Sequence, residues 1–136
     1  MSSPAILPTR SNLSPDDRVG KGAPPLIAAT TMLSYEAGRP VRGFFVRKGV
    51  KDHGTKKLVD GVVEGELRGK TVVVLEDVTT KGASAMQAVA AAKGEGARVG
   101  LVLSIVDRED GAAEFFKKEG LPFDCLFKAS EFRAAQ

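Results

Sequence analysis

"KTVVVLEDVTTKGASAMQAVAAAKGEGARVGLVLSIVD" (residues 70–107) reads as strand, loop, helix and strand, and that order decides the fold. Val72, Val73, Val74 and Leu75 form an unbroken aliphatic run, which marks a strand buried on both faces. Ser84 to Lys93 is alanine-rich and helical, and Ala97 to Asp107 repeats the buried-strand pattern. Two such strands joined by a helix make a parallel pair with a right-handed crossover. Downstream, "GAAEFFKKEG" (111–120) reads as a helix closed by Gly120, and "FDCLF" (123–127) as a third short strand. Upstream, "PPLIAATTMLSYEAG" (24–38) carries proline at a helix start and glycine just past its end. "VRGFFVRK" (41–48) reads as a strand, residues 48–61 as a long polar loop, and "VVEGEL" (62–67) as a hairpin arm or edge strand. Residues 1–23 mix Ser, Pro, Gly and charge without a period and read as an irregular leader, leaving 24–136 as one core domain. The fold class is α/β, a parallel sheet flanked by helices.

Composition narrows the function classes. The chain has 136 residues, which suits one domain, and its net charge of +3 is too small to imply a nucleic-acid partner. No apolar run approaches the roughly 20 residues that span a bilayer, so no membrane role is expected. "MSSPAILPTR" lacks a basic segment followed by a long apolar one, so it is not read as a secretory signal. The lone Cys125 has no intramolecular disulfide partner and fits a reducing cytoplasm; within "FDCLF" it reads as a small buried hydrophobe.

The chemistry concentrates where the first buried strand ends. In an open parallel sheet, ligands bind beyond the carboxyl ends of the strands. Glu76 and Asp77 stand at that end, and Thr79 to Ser84 lead into the helix. Small residues there let backbone N–H groups approach an anion, and a helix N-terminus adds partial positive charge. Carboxylates accept hydrogen bonds from sugar hydroxyls, so a phosphate loop beside an acid pair suits a phosphorylated sugar. The loop is neither GxxxxGK[ST] nor GxGxxG. The same residues also suit a solvated strand end and an ordinary helix cap.

Three segments together resemble one family. "VVVLEDVTTKGASA" (72–85) is similar to the phosphoribosyl-diphosphate (PRPP) motif of type I phosphoribosyltransferases. "FVRKGVKDHGTKKLVDG" (45–61) resembles the Arg-Lys-x-x-Lys-x-His-Gly segment of orotate phosphoribosyltransferases, and "LVLSIVDREDGAAEFFKKEGLPFDCLF" (101–127) resembles that subfamily's strand ending in Asp-Arg. Their order and spacing agree. The resemblance implies a type I phosphoribosyltransferase-like, Rossmann-like sheet. It also implies transfer of the phosphoribosyl group of PRPP to orotate, giving orotidine 5′-phosphate and pyrophosphate in pyrimidine synthesis, with Mg²⁺ as cofactor. A homodimer is implied too, in which loop 48–57 serves the neighbouring site.

By the same resemblance, Glu76 and Asp77 hold the ribose hydroxyls, and Val78, Thr79, Thr80, Lys81, Gly82, Ala83 and Ser84 line the 5-phosphate. Arg47, Lys48, Lys51 and His53 meet the pyrophosphate, with Lys51 and His53 catalytic, and Thr80 and Arg108 contact orotate. Arg39, Arg42, Arg47, Lys48, Lys51, Lys56 and Lys57 face one acid, Asp52, over that stretch, a suitable field for a polyanion. Taken alone, the lysine-rich loop and His53 read as solvated surface and Arg108 as an ordinary strand-end charge; it is the joint pattern of three segments that carries the resemblance.

The chain departs from the family at three places. Lys81 stands where a small residue is usual, and Ala83 where glycine or threonine is, with less freedom at positive φ. The family's N-terminal hood, first strand and orotate-side lysine have no counterpart in the sequence. A missing first strand predicts an uncovered sheet edge. A non-catalytic or regulatory PRPP-binding module is the alternative function, and a purine or uracil phosphoribosyltransferase is a further one.

Overall fold

The structure, a computed structural model, describes residues 18–20, 24–47 and 58–133. In chain order the elements are β1 (Arg18–Gly20), α1 (Pro24–Glu36), β2 (Arg42–Val46), β3 (Val59–Asp60), β4 (Thr71–Thr79), α2 (Ala83–Gly94), β5 (Arg98–Asp107), α3 (Ala112–Lys118), β6 (Phe123–Lys128) and α4 (Ala129–Arg133). The strands form one sheet in the order β3-β2-β1-β4-β5-β6. All neighbours run parallel except β3, which pairs antiparallel with β2 at one edge.

The aliphatic runs at the sheet's centre are buried because helices cover both faces. On one face Val74 and Val102 pack with Ala85, Ala88 and Val89 of α2 and with Ala112 and Phe116 of α3. On the other, Ile27 of α1 packs on Val73, Leu75, Leu101 and Leu103. Ala85, Ala88, Val89 and Ala92 recur at helical spacing on α2, and all are buried. Their small side chains let the helix lie close to the sheet. A third cluster joins Phe44, Val59 and Leu67 to Val72, Ala92 and Ala97. Phe116 is fully buried and stacks on Phe123 at 5.1 Å. The β4–β5 register slips between Val72 and Val73, leaving Gly100 unpaired across from them. A Cβ at Gly100 would lie 2.8 Å from Thr71 Cγ2, so glycine fits this close passage.

The α/β architecture, α1, β4, α2, β5, α3 and β6 follow the sequence expectation to within a few residues. Three local expectations are corrected. Arg18–Gly20, inside the stretch read as an irregular leader, is a strand in the interior of the sheet, between β2 and β4. Three residues carry no period, and their place is set by the ladders on either side. Val62–Leu67 is a turn rather than a strand, and the edge strand is Val59–Asp60, within the stretch read as loop. Positive φ at Gly61 (+88°) and Gly65 (+77°) bends the chain there. The turn is tied by Glu66, whose carboxylate pairs with Arg42 at 2.7 Å and accepts the Val63 N–H at 3.0 Å. The short helix α4 was not anticipated. Among the described residues no helix is long and apolar enough to cross a membrane.

Candidate functional site

Because five strands are parallel, their carboxyl ends share one side of the sheet. β2 ends there at Val46, β1 at Gly20, β4 at Thr79, β5 at Asp107 and β6 at Lys128. Gly20 is in register with both Phe44 and Val74. Arg47 and Asp77, each three residues further on, therefore reach similar levels two strands apart, roughly 10 Å at the usual strand spacing. Thr79 is in register with Asp107, and the Arg108 N–H donates to the Thr79 carbonyl at 2.9 Å. The topology thus brings Arg47, the acid pair, the small-residue turn and Arg108 to one edge.

The acid pair is split by its environment. Successive strand residues face opposite sides, and Glu76 follows Val72 and Val74 on the face that packs against α2. Glu76 is 7% exposed, whereas Asp77 is open to solvent and its Oδ1 accepts the Val78 N–H at 2.7 Å. Val78 is exposed. Thr79 belongs to β4 rather than to the loop; it is 3% exposed, and its buried hydroxyl finds no partner among the described residues. Thr80 and Lys81 are exposed at the turn.

Gly82 then caps α2 at φ +94°, with no side-chain acceptor for the first helical N–H groups. A Cβ at this position would lie 2.9 Å from Phe115 Cδ1 and 3.0 Å from Phe116 Cε2. Glycine is required on both counts. The turn therefore packs down on α3 and leaves the N–H groups at the start of a twelve-residue helix without a side-chain cap. Ala83 and Ser84 lie in that first turn and are exposed. The departure at Ala83 thus costs nothing in backbone freedom, since the positive-φ position is Gly82. Lys81 is exposed in the same turn and adds positive charge there.

On the β2 side, the Arg47 N–H donates to the Leu58 carbonyl at 2.7 Å, joining the two residues that flank 48–57. The Arg47 guanidinium pairs with Asp60 of β3, both half-exposed. Lys48, Lys51 and His53 lie outside the described residues. Asp60 was missed from the sequence, where thirteen residues separate it from its partner.

On the β5 side, Arg108 is exposed, and its guanidinium takes no partner among the described residues. Asp107, 4% exposed, accepts the Glu109 N–H at 2.9 Å. Glu109 has φ +59°, and its carboxylate accepts the Ser130 N–H at 2.8 Å. Hydrogen bonds from Ser130 hold that carboxyl below its ordinary range. Sequence reasoning passed over Asp107 and Glu109, whose only signal was an acid on each side of Arg108. Among the described residues no group of three or more His, Cys, Asp or Glu could hold a metal by itself.

No family model matches the chain. An orotate phosphoribosyltransferase of Bradyrhizobium diazoefficiens is 52% identical over 115 residues, covering 84% of this chain and 62% of that protein. The chain thus spans about 60% of the length of the curated relatives it matches. Among solved structures, a phosphoribosyltransferase from Corynebacterium diphtheriae is 31% identical with a TM-score of 0.71, covering 88% of this chain and 68% of that one. Mycobacterium tuberculosis orotate phosphoribosyltransferase in complex with PRPP is 32% identical with a TM-score of 0.70, covering 88% of this chain and 66% of that one.

Proposed function

The chain belongs to the orotate phosphoribosyltransferase family, and on that premise we propose that it transfers the phosphoribosyl group of PRPP to orotate. Orotate N1 attacks the anomeric carbon, the bond from that carbon to the diphosphate oxygen breaks, and pyrophosphate leaves. The observation that carries this reading is the α2 N-terminus, which lacks a side-chain cap and follows directly on the acid pair at the end of β4. It offers N–H donors and partial positive charge to a 5-phosphate. Thr80, Lys81 and Ser84 surround the same turn. Asp77 is the accessible acceptor for a ribose hydroxyl, and the more buried Glu76 stands behind it.

Arg108 supplies a planar fork for the orotate carboxylate. Arg47, Lys48, Lys51 and His53 serve the diphosphate, whose charge grows as it departs, so cations there favour the transition state over the ground state. Lys51 and His53 act from loop 48–57, in this reading at the neighbouring site of a homodimer. The Arg47–Asp60 pair keeps the arginine at the root of that loop. Mg²⁺ suits the donor set, because that ion takes one or two carboxylates plus substrate phosphates and keeps several waters. Asp77, the open carboxylate of the pair, would hold it, and when bound it would offset the charge of the diphosphate. The free, buried Cys125 suits a reducing cytoplasm.

The test is a PRPP titration with Mg²⁺ followed by thermal shift, with orotate absorbance monitored in the same mixture. Stabilisation with loss of orotate absorbance is expected. Stabilisation without turnover would support a binding module instead, and no stabilisation would overturn the reading of the phosphate site.

A further inference from the structure

The tripeptide Asp107–Glu109 is restrained at more points than a solvent-exposed strand end requires. The Arg108 N–H is bonded to the Thr79 carbonyl at 2.9 Å, which ties it to the last residue of β4. The Asp107 carboxylate reaches over Arg108 to accept the Glu109 N–H at 2.9 Å. Glu109 is the only non-glycine residue with positive φ among the described residues. A left-handed backbone at a residue that carries a Cβ persists only where the surroundings over-determine it. A second anchor holds the far side of the bend, where the Glu109 carboxylate accepts the Ser130 N–H at 2.8 Å.

A carboxylate as buried as that of Asp107 is unfavourable unless it is hydrogen-bonded, and a plain strand end would be served by an apolar residue. Here the bond it makes closes the chain immediately after Arg108. The bend fixes where Arg108 leaves the sheet, next to the turn that starts at Thr80.

We infer that Asp107 is a positioning residue for Arg108. It holds the Glu109 bend that presents the guanidinium to the base, and it touches no substrate itself. This rests on the reading of Arg108 as the base contact.

The test uses two ligands measured by calorimetry on the full chain. Orotidine 5′-phosphate engages the base contact, the acid pair and the phosphate turn, whereas ribose 5-phosphate engages the acid pair and the turn without the base contact. Loss of a hydrogen bond that orients a charged contact is expected to weaken orotidine 5′-phosphate binding by roughly tenfold in Asp107→Ala. Ribose 5-phosphate affinity stays unchanged. Asp107→Asn retains the wild-type affinity, because its amide oxygen still accepts the Glu109 N–H. The double variant Asp107→Ala/Arg108→Ala binds no more weakly than Arg108→Ala.

Glu109→Pro leaves Asp107 in place but removes the N–H and forbids positive φ. It shows the same selective loss, and it decides the matter if Asp107→Ala does not fold. Folded variants that bind orotidine 5′-phosphate normally, or that lose both ligands equally, overturn the positioning role. A wild-type protein that binds neither ligand, or an Arg108→Ala variant that binds orotidine 5′-phosphate normally, overturns the base-contact reading and the positioning role with it.

Discussion

Two glycines cap helices in the same way, and comparing them isolates the contact that shapes the phosphate turn. Gly82 caps α2 at φ +94° and Gly111 caps α3 at φ +99°, neither with a side-chain bond. Alanine at either site takes on left-handed strain of about 1–2 kcal/mol. At Gly111 nothing lies within 4 Å of the added Cβ, so strain is the whole effect. At Gly82 the Cβ meets Phe115 Cδ1 at 2.9 Å and Phe116 Cε2 and Cζ at 3.0 and 3.1 Å. Phe116 is fully buried and cannot yield, so overpacking of about 1–3 kcal/mol is added. Gly82→Ala should therefore cost about 2 kcal/mol more than Gly111→Ala, a further fall in Tm of roughly 8 °C for a chain of this size.

Urea denaturation followed by circular dichroism reads the difference, with unchanged slopes confirming that the same transition is compared. Gly82→Ala/Phe115→Leu should recover part of the loss, because the half-buried Phe115 makes the tighter contact. Equal losses at the two glycines, to within about 0.5 kcal/mol, would refute the packing of this turn against α3.

Asp77→Asn should weaken PRPP binding, read as a smaller thermal shift, with little change in Tm of the free protein because Asp77 is exposed. Lys51→Ala should lower turnover far more than PRPP affinity in paired absorbance and binding assays. Glu109 should make stability pH-dependent. Its folded carboxyl lies below the ordinary value of 4.5, so its contribution is fully present above that pH and is lost as the pH falls through the lower folded value. Glu109→Gln should flatten that part of the acid limb in urea titrations between pH 6 and 3, and an unchanged limb would count against the Ser130 bond. Burial, first, and then the nearby Asp107 and Asp124 push the Cys125 thiol up, so an aromatic disulfide reagent at pH 8 should label it slowly until the protein is unfolded.

The parts of this molecule that the sequence revealed are those where one physical requirement governs many consecutive residues. Val72–Leu75 and Leu101–Leu103 must be apolar on both faces, and the buried positions of α2 must be small, so strand, helix and strand were plain. β1 was hidden because three residues hold too little pattern, and its strand state depends on partners fifty residues away in Val72–Val74. "VVEGEL" opens on two β-branched residues as a strand can, yet Gly61 just before it and Gly65 within it, both at positive φ, turn the chain, and only Leu67 goes deep into the core.

The candidate site shows the same division. Acids, small residues and an arginine at strand ends were legible as chemical types, since parallel strands must place their carboxyl ends together. Their states were not legible. β4 is apolar on both faces up to Leu75, so alternation alone does not say that Glu76 is covered and Asp77 open; the overlay of α2 on the Val74 face decides it. The Arg47–Asp60 pair depends on an antiparallel edge that the loop reading left out. The bend after Arg108 depends on a buried carboxylate and on a helix that begins at Ala129. A motif specifies which groups a ligand can meet. The groups that aim them are chosen by contacts between elements, and those become readable only when the strands are laid side by side.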